Sequence, residues 1–241
     1  MSAFLLVPAI FLIAGLLQGL TGFGSALIAM PLLAFIIDIK TAVAVCTLCG
    51  ITINLKMCCN LRSNMDSRKI LPLIIGSIPG AVFGTLALKE VDGNLITFFL
   101  GFLVAGYAGY SLLVRPIVLK LNPAWGYLSG FLTGAITAAV SAGGPPTIIY
   151  SSLMGWKKDD FKATLSGFFL AAASMAALGH LISGLTTFYS FQLFLASLLP
   201  VQAGVFIGHR LAGKVSEDLY RRIIMILLVF MGIMLIFQST G

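Results

Sequence analysis

Apolar residues run almost unbroken through this chain, and the polar ones fall in short clusters. Residues 3–37 hold no Asp, Glu, Lys or Arg, and neither do residues 122–156. Elsewhere, apolar runs of helix length alternate with charged clusters near residues 38–40, 62–69, 89–94, 115–120 and 157–162. The pattern predicts helices over residues 41–61, 70–88, 95–114, 163–183, 189–211 and 223–238. One bilayer crossing takes roughly 20 residues at 1.5 Å rise each. The two charge-free stretches are too long for one crossing and short for two comfortable ones.

Each charge-free stretch is also interrupted near its middle. The first breaks at Gln18-Gly19-Leu20-Thr21-Gly22-Phe23-Gly24-Ser25, the second at Ser141-Ala142-Gly143-Gly144-Pro145-Pro146. Glycine and proline at membrane depth release backbone groups that lipid cannot satisfy. Paired breaks in two halves of a chain point to a transport site. Each stretch therefore reads as a re-entrant pair of half-helices, although two short crossings would give the same loop-charge pattern. The halves repeat: Gly15 and Gly24 share one offset with Gly134 and Gly143, and Gly80 and Gly84 share another with Gly204 and Gly208. The expected fold class is an all-α polytopic membrane protein of two inverted repeats. Each repeat is a broken helical stretch plus three transmembrane helices. Residues 1–114 form the first repeat, 115–121 a linker and 122–241 the second repeat.

Composition agrees. The chain is 59% hydrophobic and only 10% charged, with a mean hydropathy of +1.05. A soluble domain cannot hide that much apolar surface. The net charge of +7 is scattered over short loops, which suits membrane topology and not nucleic acid. The N-terminus has no basic region before its apolar run, so no cleavable signal is expected. If each broken stretch returns to the side it left, twelve Lys and Arg residues fall on one side, and only Lys40 and Lys89 on the other. A single crossing per stretch gives nine against five. The positive-inside rule favours the first arrangement, with both termini outside and the halves inverted.

The second arm of each hairpin begins near Gly24-Ser25 and Gly144-Pro145. First-turn N–H groups have no helical partner and carry part of a positive charge, so they favour an anion. Pro145 and Pro146 suit a first turn. The candidate binding residues are Gln18, Thr21, Gly22, Phe23, Gly24 and Ser25 of the first break. Ser141, Ala142, Gly143, Gly144 and Pro145 of the second join them, with Tyr150 one turn on. The plainer alternative is that the glycines serve only close helix packing. All eight carboxylates (Asp38, Asp66, Glu90, Asp92, Asp159, Asp160, Glu217 and Asp218) fall in expected loops. Cation sites and carboxylate relays need one inside a span. Lys56 either snorkels to the interface or lines the anion route. His180 is either hydrogen-bonded to a neighbouring helix or a proton-linked switch. Cys46, Cys49, Cys58 and Cys59 read as packing residues, or as a thiol relay through the C-x-x-C pair. No cofactor, metal cluster or catalytic constellation is evident, so an enzyme is not expected.

These residues carry a resemblance. Gly15-x-x-x-Gly19-x-x-Gly22-Phe23-Gly24-Ser25 with Pro31 resembles the glycine-rich first motif of the TauE/SafE sulfite exporter family, also called the 4-toluene sulfonate uptake permease family. Gly143-Gly144-Pro145-Pro146 with Tyr150 resembles its second copy. Arg62-Ser63-Asn64-Met65-Asp66 and Pro79-Gly80-x-x-x-Gly84 are similar too. Ser25-Ala26 departs from members with further glycines. The resemblance implies export of a small sulfur anion, such as sulfite, sulfoacetate or another organosulfonate or organic acid, from the inner membrane of a bacterium or archaeon. The expectation is a secondary carrier working by alternating access, in contact with the lipid bilayer and a small anionic substrate. Coupling to a proton or other ion and the oligomeric state stay open. A thiol-redox relay through Cys46 and Cys49, or an anion channel, are the alternatives.

Overall fold

The computed structural model describes residues 3–61, 65–114, 118–119, 121–156, 158–212 and 217–240. The linker expected at 115–121, Arg62-Ser63-Asn64 and Lys157 lie largely or wholly outside the described residues. The described residues form ten helices and no strand. They are α1 (Ala3–Thr21), α2 (Ser25–Ala34), α3 (Ile39–Leu61), α4 (Ser67–Glu90), α5 (Gly93–Leu113), α6 (Trp125–Val140), α7 (Gly144–Leu153), α8 (Lys158–Ile182), α9 (Phe188–Leu211) and α10 (Glu217–Thr240). Six of them, α1, α3, α4, α5, α8 and α9, are long and apolar enough to cross a membrane.

Polar side chains set several starts. Asp66 accepts from the Arg68 N–H at 3.0 Å, Asp92 from that of Asn94 at 2.8 Å, and Thr187 from that of Ser190 at 3.1 Å. Each occupies a first-turn donor that has no helical partner. All eight carboxylates lie at helix ends or in connections.

Both charge-free stretches are hairpins with unequal arms. α1 has 19 residues and α2 has 10; α6 has 16 and α7 has 10. Ten residues rise about 15 Å, half the roughly 30 Å of a hydrocarbon core, so neither short arm crosses alone. The breaks sit where the glycines placed them, but past the middle of each stretch.

Four helix pairs dominate the packing: α1 with α9, α4 with α6, α3 with α8, and α5 with α10. Exchanging the two sets of five helices turns the first pair into the second and returns the other two unchanged. The first two crossings are glycine-faced. A Cβ on Gly15 would land on the Val201 carbonyl oxygen, and one on Gly204 on that of Leu12. At α4 and α6, a Cβ on Gly80 would meet the Phe131 carbonyl and one on Gly130 that of Leu73. Lipid offers no hydrophobic drive between helices, so backbone-to-backbone approach at small residues holds such pairs together. The halves are not packed alike, however. α2 rests on α10, whereas α7 stands off α5 across an apolar cleft of about 560 Å³.

Candidate functional site

The two breaks meet in one cavity. It measures about 70 Å³, room on the order of five waters at one probe sphere each. From the first break it is lined by Gln18, Phe23, Gly24 and Ser25, and from the second by Ser141, Ala142, Gly143 and Gly144. α3 contributes Cys46, Thr47, Gly50 and Asn54, α6 Thr137, and α8 Phe169 and Ala173. Among the described residues, no Lys, Arg, His, Asp or Glu lines it.

The first break is a tight turn. Gly22 and Gly24 have φ of 90° and 96°, values that side chains rarely adopt. The Thr21 hydroxyl is consumed locally, against the Leu17 and Phe23 carbonyls, so Thr21 shapes the loop and does not line the cavity. Gln18, buried on α1, reaches across the loop. Its Oε1 accepts from the Ser25 N–H at 3.1 Å, and its Nε2 lies 3.7 Å from the Met57 sulfur. The first N–H of α2 is therefore capped from within the chain, which leaves the second break as the richer source of donors.

At the second break Ser141 ends α6 in the left-handed region, φ 56°. The Thr47 hydroxyl donates to the Val43 carbonyl at 2.8 Å, and its oxygen lies 3.2 Å from the Ser141 hydroxyl, which is then the donor between them. The N–H groups of Gly24, Ala142, Gly143 and Gly144 have no acceptor among the described residues. Pro145 and Pro146 have no N–H to give, so α7 presents its donors at its very tip. Asn54 Nδ2 donates to the Gly50 carbonyl at 2.8 Å, while its Oδ1 is buried without a partner.

α3 carries both breaks. Ser141 engages it at Thr47, and Gln18 at Met57, ten residues or roughly 15 Å further along. α8 does the same in the opposite sense: Lys162, near its start, lies against Gly22, and His180, near its end, bonds the Ala138 carbonyl beside the second break. The tips are thus staggered along the α3–α8 pair, with the cavity between them.

The other expected residues lie elsewhere. Gly22 sits under Lys162 and outside the lining. Pro145 and Tyr150 line the cleft beside α5. Lys56 is half-buried on α3 and is not part of the cavity lining. His180 is fully buried; its Nε2–H donates to Ala138 O at 2.7 Å, since a carbonyl can only accept, and its Nδ1 has no partner among the described residues. All four cysteines are free thiols, and Cys46 lines the cavity. The stripe Cys46/Thr47–Gly50–Asn54 was missed, although polar and small residues at i, i+3/i+4 and i+7/i+8 in an apolar helix were a usable signal.

The sequence profile of the family described as Sulfite exporter TauE/SafE matches residues 7–235, nearly the whole chain. The chain belongs to this family. No curated protein and no solved structure matches it. As a TauE/SafE member with six membrane-length apolar helices, it is a multi-pass membrane protein of a sulfur-anion exporter family.

Proposed function

We propose that this TauE/SafE protein is a secondary carrier that exports a small sulfur oxyanion from the cytoplasm across the cell inner membrane, with both termini outside. The observation that carries this reading is the cavity lined by both breaks, with N–H donors unpaired and no fixed charge among the described residues. Neutral donors suit a monoanion, hydrogensulfite or a sulfonate, better than a dianion. Burying charge without a counter-ion is costly, and the second charge finds no cation in the lining. The staggered engagement of both breaks along the antiparallel ends of α3 and α8 supports inverted halves. The unequal packing of α2 on α10 and of α7 away from α5 supports one of two alternating states, in which rocking of the α5–α10 pair exchanges the two contacts.

The test is flux in proteoliposomes together with binding to purified protein. Sulfite, methanesulfonate, sulfoacetate, sulfate, thiosulfate and a dicarboxylate are compared. The reading expects saturable flux, with monoanions bound more tightly than sulfate. Non-saturating flux, or tighter binding of sulfate than of every sulfonate, contradicts it.

A further inference from the structure

A cation stands beside the first break that the site as described does not use. Lys162 lies in the second turn of α8, and its Cγ, Cδ and Cε each come 3.1 Å from where a Gly22 Cβ would be. Gly22, at φ 90°, has no side chain to occupy that space, so the lysine stem lies directly on the turn. One residue earlier, the Phe161 ring meets the Phe23 ring edge to face, with centroids 5.9 Å apart and planes at 71°. Phe23 is itself a cavity wall.

Lys162 shares a helix face with the cavity. Phe169 and Ala173, which line it, follow at i+7 and i+11, two and three turns along α8. The distance from Lys162 to Phe169 along the axis is thus roughly 10 Å. Among the described residues the charge is also uncommitted. Neighbouring Lys69 takes both Asp66 and Asp160, at 3.3 and 3.4 Å, and no carboxylate among the described residues pairs with Lys162. A lysine seated on an apolar stem with no partner keeps its field for whatever passes.

We propose that Lys162 is the specificity-determining cation of the transport route. Its ammonium holds the anion at the mouth of the cavity, and the Phe23–Phe161 pair is the barrier the anion then displaces to reach the N–H donors. The cavity itself is neutral, so selection for negative charge is made here and recognition of oxygen geometry is made inside. The inference rests on the reading of the cavity as an anion site.

Lys162→Met keeps the stem on Gly22 and deletes the charge; Lys162→Arg keeps the charge. Sulfite flux is measured in proteoliposomes across a range of ionic strength, with thermal stability as the control for folding. The expected result for Lys162→Met is a KM raised about tenfold, the worth of one close charge in a partly screened site. The maximal rate stays within about twofold, the salt dependence of KM is lost, and the melting temperature is unchanged. Lys162→Arg retains the wild-type salt dependence. A Lys162→Met protein with wild-type KM and wild-type salt dependence overturns the proposal and leaves the cavity reading standing. A loss of stability without a change in salt dependence also overturns it, because the lysine is then only a packing residue; Lys162→Gln, with a shorter stem, repeats that comparison. A wild-type protein that neither binds nor moves sulfite overturns both readings together, before any variant is made.

Discussion

The hydroxyl oxygens of Thr47 and Ser141, 94 residues apart, lie 3.2 Å from each other in the cavity wall. The contact ties the middle of α3 to the second break and holds Ser141 at a positive φ that a serine adopts at a cost of roughly 1–2 kcal/mol. Backbone and hydroxyl can be separated by mutation. Ser141→Gly relieves the backbone and removes the hydroxyl; it should keep its melting temperature within a few degrees while losing sulfite affinity. Ser141→Ala removes the hydroxyl and keeps the strain, and should lose about 1 kcal/mol of stability as well. Thermal unfolding and calorimetric titration on the same samples check both.

The two glycines at the start of α7 should behave differently. A Cβ on Gly143 would fall on the Thr137 hydroxyl and the Thr133 carbonyl, so Gly143→Ala should not accumulate as folded protein. At Gly144 the nearest obstacle is the tip of Ile148 at 3.3 Å, which can move. Gly144→Ala should fold, and Gly144→Leu should fold but fill the cavity and abolish sulfite binding. Size-exclusion profiles separate the first case from the others, and titration separates the second from the third.

Helix crossings give a second contrast. Gly204→Ala drives a methyl into the Leu12 carbonyl on the facing helix, whereas a Cβ on Gly106 meets nothing within 4 Å. Gly204→Ala should lower the melting temperature substantially. Gly106→Ala should leave it unchanged or raise it, by the 0.5–1 kcal/mol or so that alanine gains over glycine inside a helix.

Asn54→Asp places a carboxylate in the wall of a cavity read as an anion site. Sulfite affinity should fall at least about tenfold with little change in fold, since like charges in a partly buried site repel by more than 1.4 kcal/mol. Unchanged affinity would place the anion away from α3.

Replacing Cys46, Cys49, Cys58 and Cys59 together with alanine should leave sulfite flux within a fewfold of wild type. Loss of flux with an intact fold would revive the thiol relay, because Cys46 and Cys49 lie one turn apart on α3 with Cys46 in the cavity wall.

Much of this arrangement was legible in the sequence, for particular reasons. Gly22 and Gly24, at positive φ, and the Gly143-Gly144-Pro145-Pro146 run interrupt the charge-free stretches, so the breaks could be read to within a few residues. The starts of α5 and α9 lie within two residues of those expected at 95 and 189, whereas α4 begins at Ser67, three residues before the expected 70, because Asp66 caps it. The cavity walls were harder. A helix surrounded by lipid and by other helices is apolar on every side, so hydropathy does not tell the face carrying Phe169 and Ala173 from the face touching lipid. Thr21 was misplaced because a hydroxyl this short reaches its own helix carbonyls before it reaches a ligand. Tyr150 and Pro145 turn toward α5, a direction that depends on where α7 docks and not on the motif. The unequal arms accompany a contact across the turn itself. Gln18, still helical, reaches past Gly22 to cap Ser25, and α1 therefore runs through residues that looked like the centre of the break.

The central claim is that a negative sulfur oxyanion rests between the α2 and α7 tips. Locating a heavier analogue is the most direct test: protein crystallised or imaged with selenite, with the selenium found by anomalous scattering. The account expects one site within about 3–4 Å of the Gly143 and Gly144 nitrogens and facing Ser25. Selenium lodged in the cleft beside α5, or bound only at the basic surface with the cavity empty at saturating selenite, would contradict it.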